Sequence, residues 1–358
     1  MNRTILYAMD DFPVSQNRVY GNAAEALSCP RGNIRLEQDT VTGIVHNSSF
    51  DPDLMHYDEN YQNEQGYSQS FRDHLEETAA IIGRYFSGMS ILEIGCGKGT
   101  FLELMRSRGF SITGVDPAYE GHSRYVVKDV FSHHLGISGD AIILRHVLEH
   151  IPDPLQFLWT VRNANGGKGL VYIEVPCLDW ILCHKAWFDI YYEHVNYFRL
   201  SDFPRFFENI LESGKTFGGQ YLYVIADLAT LRDSPRTHFQ HIVFPGDFAA
   251  GIDRTAELMK TGSPKNFIVW GASSKGVIFS FLLLRKWKVT PDVVIDINPA
   301  KQGQYLPATA LPVLSPADGL AQANPGDAVF VMNSNYFEEI RSLAGNKLTY
   351  YKVDENEF

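Results

Sequence analysis

Cysteine is scarce in this chain. There are four in 358 residues, Cys29, Cys96, Cys177 and Cys183, and their spacing offers neither a disulfide framework nor the paired thiolates of a structural zinc site. Positive charge is also in short supply. Lys and Arg number 31 against 42 Asp and Glu, a formal net charge of -11. No basic patch stands out, which argues against a nucleic-acid partner. Long apolar runs are missing too. There is no stretch long enough to span a bilayer and no secretory h-region at the N-terminus, so the expectation is a cytoplasmic protein with no membrane association. The rest is ordinary: 45% hydrophobic and 20% charged residues, with length enough for two or three domains around a buried core.

The most informative stretch is Ile91-Leu-Glu-Ile-Gly-Cys-Gly-Lys-Gly-Thr-Phe101. It reads as a buried strand turning through three glycines into a helix. About twenty residues on, Ile112-Thr-Gly-Val-Asp116 reads as a second strand ending in an acid. A glycine turn lets backbone approach a ligand closely, and the acid can accept hydrogen bonds from ribose hydroxyls. This pairing predicts a nucleoside cofactor. The glycines Gly95, Gly97 and Gly99 are spaced G-x-G-x-G, not the G-x-G-x-x-G of dinucleotide sites, and Glu93 precedes them by two residues. A carboxylate there suits a cation and repels a pyrophosphate. The pattern resembles motif I of class I S-adenosylmethionine methyltransferases, and that cofactor has a cationic methionine end.

Further strands extend the pattern of a parallel α/β sheet: Val126 to Phe131, Asp140 to His146, and Gly169 to Pro176. Asp129, with Val130 beside it, is expected near an adenine amino group. Arg145 and His146 fall where a methyltransferase loop meets cofactor and substrate. His146 and His150 also have the spacing of two metal ligands on a helix face, but no metal is expected, and His150 is read as ordering the Ile151-Pro152 turn.

Three parts follow along the chain. Residues 1–70 form a small N-terminal domain, residues 71–233 the cofactor-binding domain, and residues 234–358 a second Rossmann-like α/β unit. The last opens with Asn266-Phe-Ile-Val-Trp-Gly-Ala-Ser-Ser-Lys-Gly-Val277 and continues through Val293 to Asn298 and Ala328 to Asn333. Lys275, at a helix start, is a candidate anion ligand. Asn298 and Asn333, at strand ends, are candidate substrate contacts.

Taken together, Leu92 to Gly99, Arg145 to Pro154, Tyr191-Tyr-Glu-His-Val-Asn-Tyr-Phe198, Trp270 to Gly276 and Asp296 to Pro299 resemble the C-methyltransferases that act on nucleotide-linked deoxysugars. The resemblance covers nearly the whole chain. It implies a small N-terminal zinc domain, a class I methyltransferase domain and a C-terminal Rossmann-like domain. It also implies His194 as the base, Tyr191 stabilising an enolate or relaying its proton, Glu193 orienting His194 or binding substrate, and a tyrosine from the segment of Tyr57, Tyr61 and Tyr67 closing over the site, for which Tyr61 is chosen. One departure is large. The family's zinc domain uses two C-x-x-C pairs; here Asp39-Thr-Val-Thr42 stands at the second and the first is absent. A metal-free domain, held by packing or covered by another chain, is expected.

The sequence thus points to methyl transfer from S-adenosylmethionine to carbon of a nucleotide-linked keto sugar or related metabolite, by a monomer or homodimer. Methylation at nitrogen or oxygen of a small natural product is the second reading. An inactive cofactor-binding scaffold is the third, and the intact Glu93, glycines, Asp116 and Tyr191 to His194 weigh against it.

Overall fold

The computed structural model describes residues 4–55, 61–261 and 266–355. The chain opens with strands β1 (Ile5–Pro13), β2 (Arg31–Gln38) and β3 (Val45–Asn47), paired antiparallel. Phe12, Val14, Ile34, Leu36 and Val45 are fully buried. At the position where the sequence resemblance implied a second thiolate pair, Asp39 caps the turn. Its Oδ1 accepts from Val41 N at 3.0 Å, Thr42 N at 2.6 Å and Thr42 Oγ1 at 2.9 Å. A carboxylate thus closes the turn through local hydrogen bonds.

The central strands are β4 (Ser90–Ile94), β5 (Ser111–Val115), β6 (Val126–Val127), β7 (Ala141–Arg145) and β8 (Leu170–Pro176), all parallel. The chain then makes β9 (Asn196–Tyr197), which leaves this sheet and pairs with β3. The N-terminal sheet is therefore not built from residues 1–70 alone; its edge comes from just beyond Tyr191–His194. Strands β10 (Ile210–Thr216) and β11 (Tyr221–Asp227) return antiparallel beside β8, giving the seven-stranded order β10-β11-β8-β7-β4-β5-β6. The central parallel strands are nearly continuous apolar runs because helices cover both faces. One of these helices, Gln69–Phe86, starts at Ser68, whose side chain accepts from Phe71 N at 3.3 Å. It buries Phe71, Leu75, Ile82 and Phe86, spaced four, seven and four residues apart as a core-facing stripe requires. Each such side chain contributes about 1.5–3 kcal/mol through burial.

The last sheet is entirely parallel, in the order β14-β13-β12-β15-β16. Its strands are β12 (Phe267–Trp270), β13 (Val293–Ile295), β14 (Val313–Leu314), β15 (Ala328–Val331) and β16 (Thr349–Lys352). β12 runs through Gly271 into the helix Ser274–Trp287. Asp296, just past β13, accepts from Ala272 N at 2.7 Å. Asp116, just past β5, accepts from Gly97 N at 2.8 Å. Both α/β units therefore use an acid at the end of the second strand to hold the turn after the first. No helix among the described residues is long and apolar enough to cross a membrane.

Candidate active site

The carboxyl ends of the central strands and of the C-terminal sheet face one cavity of about 550 Å³. On its floor the chain turns at Gly95, Gly97 and Gly99, whose φ values are 76°, 54° and 82°, a region that side chains with a Cβ rarely adopt. A Cβ at Gly95 would run into Val147, while the space in front of Gly97 is open. Gly99 does not line the cavity; it is the left-handed N-cap of the helix Thr100–Ser107. Asp116 accepts from Gly97 N and from Ala118 N, both at 2.8 Å, and each oxygen keeps a lone pair for a further donor.

Glu93 is 2% exposed and its Oε2 has no partner. Burial pushes its pKa up to about 7; the Arg145 guanidinium opposes this and Asp116 adds to it. An unpartnered buried carboxylate beside an open glycine turn fits the cationic end of S-adenosylmethionine, and Asp116 fits its ribose. Arg145 is committed elsewhere. Its Nε and Nη2 donate to Glu174 Oε1 at 3.1 and 3.0 Å, and it lies over the Phe101 ring at 4.4 Å. It is better described as a wall of the site than as a hydrogen-bonding cofactor ligand. Asp129 and Val130, expected near the adenine, lie farther out. Neither lines the cavity. β6 is only two residues long, and the chain leaves the sheet edge with Asp129 Oδ1 turned back onto Val130 N at 2.7 Å and Val130 65% exposed.

The loop after β8 supplies Tyr191 and His194, both lining the cavity. Their rings pack edge to face at 4.7 Å, and the His150 ring approaches His194 at 5.1 Å. His194 Nδ1 is buried without a partner. Burial, then the charges of His150, His146 and Lys275, hold its pKa well below the usual imidazole value. His194 is therefore neutral at ordinary pH. Tyr191 goes the other way. Burial, then the charge and hydrogen bond of Asp189, hold its pKa well above the phenol value, so it keeps its proton. His150 Nδ1 donates to the carbonyl of Glu193 at 2.9 Å, which directs Nε2 away from that contact.

Glu193 does not orient His194. Its Oε1 accepts from Gln16 N and from Asn17 N, and its Oε2 accepts from Tyr61 Oη at 2.8 Å. Because Tyr191 and His194 use the cavity face of the loop, Glu193 points to the other side and ties down the N-terminal segment. Tyr61 lines the cavity; Tyr57 lies outside the described residues, and Tyr67 is 49% exposed.

His146 also lines the cavity, at a positive φ of 54°. Burial works against its charge, but hydrogen bonds to Glu149 and Glu174 prevail and push its pKa up to about 9. From the C-terminal unit, Lys275 and Asn333 reach the cavity and Asn298 does not. Asn298 caps its own loop by accepting from Ala300 N at 3.0 Å. Asn333 Nδ2 donates to Gln220 Oε1 at 2.7 Å. Lys275 is paired with Asp189 at 3.1 Å.

Sequence reasoning missed Asp189, Gln220 and Tyr221. Gln220 closes the Gly218-Gly219 turn between β10 and β11 and Tyr221 follows it, but no recognisable motif marks them; the signal for Asp189 was its place two residues before Tyr191. It also missed that Glu149, His150 and His194 bring one ligand atom each within 4.8 Å of one another, a grouping that could hold a metal ion. Chain spacing did not show this, because His194 arrives from a different loop.

A family model described as "Methyltransferase domain" matches residues 64–210, and one described as "C-methyltransferase C-terminal domain" matches residues 254–349. The chain is an S-adenosylmethionine-dependent methyltransferase. This methyltransferase is 26% identical over 291 residues to C-methyltransferase NovU of Streptomyces niveus, a match covering 71% of the chain and 68% of that protein. It is 33% identical over 105 residues to the mitochondrial ubiquinone biosynthesis O-methyltransferase of Schizosaccharomyces pombe, but that match covers only 25% of the chain and 38% of the relative. Among solved structures, a SAM-dependent methyltransferase from Archaeoglobus fulgidus aligns over 43% of the chain and 94% of its own length, at 21% identity and a TM-score of 0.32. The PH0226 protein of Pyrococcus horikoshii OT3 aligns over 50% of the chain and 99% of its own length, at 15% identity and a TM-score of 0.36.

Proposed function

We propose that this methyltransferase methylates carbon next to a carbonyl, on a keto sugar linked to a nucleotide or a related small metabolite. The observation that carries the reading is the pairing of a neutral His194 with a proton-bearing Tyr191 in the cavity that holds the glycine turn. Carbon methylation needs those two functions together. A base must take the proton beside the carbonyl, and a donor must stabilise the enolate oxygen. His194 serves as the base and Tyr191 as the donor. Bound S-adenosylmethionine supplies an electrophilic methyl group on a sulfonium. Glu93 balances the cationic end of the cofactor, Asp116 orients the ribose, and Tyr61, held by Glu193, forms part of the cavity wall. The match to a C-methyltransferase C-terminal domain supports the same acceptor atom. The sugar nucleotide rests on the sequence resemblance.

The test uses labelled cofactor with a panel of nucleoside-diphosphate-linked keto sugars and locates the new methyl by NMR. Label on carbon is the expected result. With S-adenosylhomocysteine bound, the acceptor should also exchange its alpha proton with deuterated water, and His194→Ala should slow that exchange. His194→Ala and Tyr191→Phe should each leave cofactor affinity nearly unchanged while lowering turnover by about 10²–10⁴-fold. A methyl on nitrogen or oxygen would replace this reading with heteroatom methylation. Wild-type turnover in His194→Ala would remove the base assignment.

A further inference from the structure

The helix Ser274–Trp287 belongs to the C-terminal sheet, yet its second residue sits among the groups of the methyl-transfer site. Lys275 Nζ lies 3.1 Å from Asp189 Oδ2, with side-chain exposures of 15% and 6%. The ammonium also stands 4.9 Å from the Trp180 ring and 5.9 Å from the Phe188 ring. Asp189 lines the same cavity two residues before Tyr191, and burial and then its carboxylate raise the Tyr191 pKa. The turn Trp187–Asp189 is fastened to the same helix, because the Trp187 ring stacks on Phe279 at 5.5 Å.

We propose that Lys275 is a positioning residue for methyl transfer, holding the Asp189 carboxylate against Tyr191 and thereby making the C-terminal unit part of the catalytic apparatus. This rests on the roles given above to Tyr191 and His194. A carboxylate in a wet cavity could turn toward any donor, including substrate hydroxyls. With an ammonium 3.1 Å away on one side, Asp189 is biased to present its other edge to Tyr191, which favours one direction of the phenol. This role differs from the anion ligand that the sequence suggested for Lys275.

Two readouts test this, one of which needs no acceptor. In the first, tyrosine-labelled protein is examined by NMR, with the Tyr191 signal assigned from Tyr191→Phe. Lys275→Met and Asp189→Asn should move the Tyr191 ring signal, and Lys275→Arg should restore it. In the second, turnover is measured with whichever nucleoside-diphosphate-linked keto sugar the panel identifies. Lys275→Met and Asp189→Asn should each lower kcat by about 10–100-fold, the cost of misplacing a catalytic group. The double variant should be little worse than either single one, because both break the same contact. S-adenosylhomocysteine affinity by calorimetry should stay within about twofold in all of them, since none touches the glycine turn. If Lys275→Met does not fold, Asp189→Asn and Lys275→Arg carry the same comparison. An unmoved Tyr191 signal together with an unchanged kcat overturns the proposal, as does a rise in acceptor KM with kcat intact, which would make Lys275 a substrate ligand. Failure of the base assignment shows separately, as normal turnover in His194→Ala.

Discussion

Glu93 illustrates how the sequence can bring one side chain forward without giving its behaviour. Its position before the glycines marked it as a partner for a cation. Only the fold shows that burial lifts its pKa to about 7. Below that pH the folded protein holds Glu93 as the neutral acid; above it, as the carboxylate. A cationic ligand favours the carboxylate, so cofactor affinity should rise with pH through 7 and level off above it, by at most about tenfold per pH unit on the acid side. Calorimetry from about pH 6 to about pH 8 in buffers of different ionisation enthalpy would also detect the proton released on binding. Glu93→Gln should flatten the dependence. Asp116→Ala loses a charged acceptor for ribose and two contacts that shape the turn, and should weaken cofactor binding by about 1.5–3 kcal/mol. Retention of wild-type affinity in Asp116→Ala would remove the ribose assignment.

At the scale of elements, the strand–glycine–helix units were legible because each is local. Apolar runs, glycines and a terminal acid lie within about thirty residues of one another, a length typical of a βαβ unit. The second unit makes a sharp prediction. A Cβ at Gly276 would collide with the carbonyl of Gly271, and neither backbone can yield cheaply. Gly276→Ala should therefore destabilise the protein by at least about 1–3 kcal/mol, read from the midpoint of urea unfolding. An unchanged midpoint would mean that the close packing of helix on turn is not needed. The short strands were less legible. β6 has two residues and β9 two, too few for any period to show, and Asp129 and Val130, just past β6, lie outside the cavity lining.

For the whole molecule, the missing thiolates leave the N-terminal sheet to be held by its core. Phe12, Ile34, Leu36 and Val45 are fully buried, the Asp39 carboxylate closes the turn, and Tyr192 covers Gly32 so closely that a Cβ there would clash. Incubation with a strong chelator should therefore leave the melting temperature unchanged, and elemental analysis of purified protein should find no zinc that survives in Glu149→Gln and His194→Ala variants. Zinc persisting in those variants would point to a structural metal in the N-terminal sheet and overturn this account.

By itself the sequence determined the cofactor class and the parallel α/β character of two units, because glycine turns, terminal acids and apolar periodicity are properties of neighbours along the chain. It also brought forward Tyr191 and His194, which share one loop. Tertiary structure decided what each of these groups touches. Glu193 faces away from His194 because alternate sides of the loop face different layers. Lys275 meets Asp189 across 86 positions of sequence only because two sheets present their carboxyl edges to one cavity. Contacts of that kind depend on how separate elements pack, and no spacing within a single element encodes them.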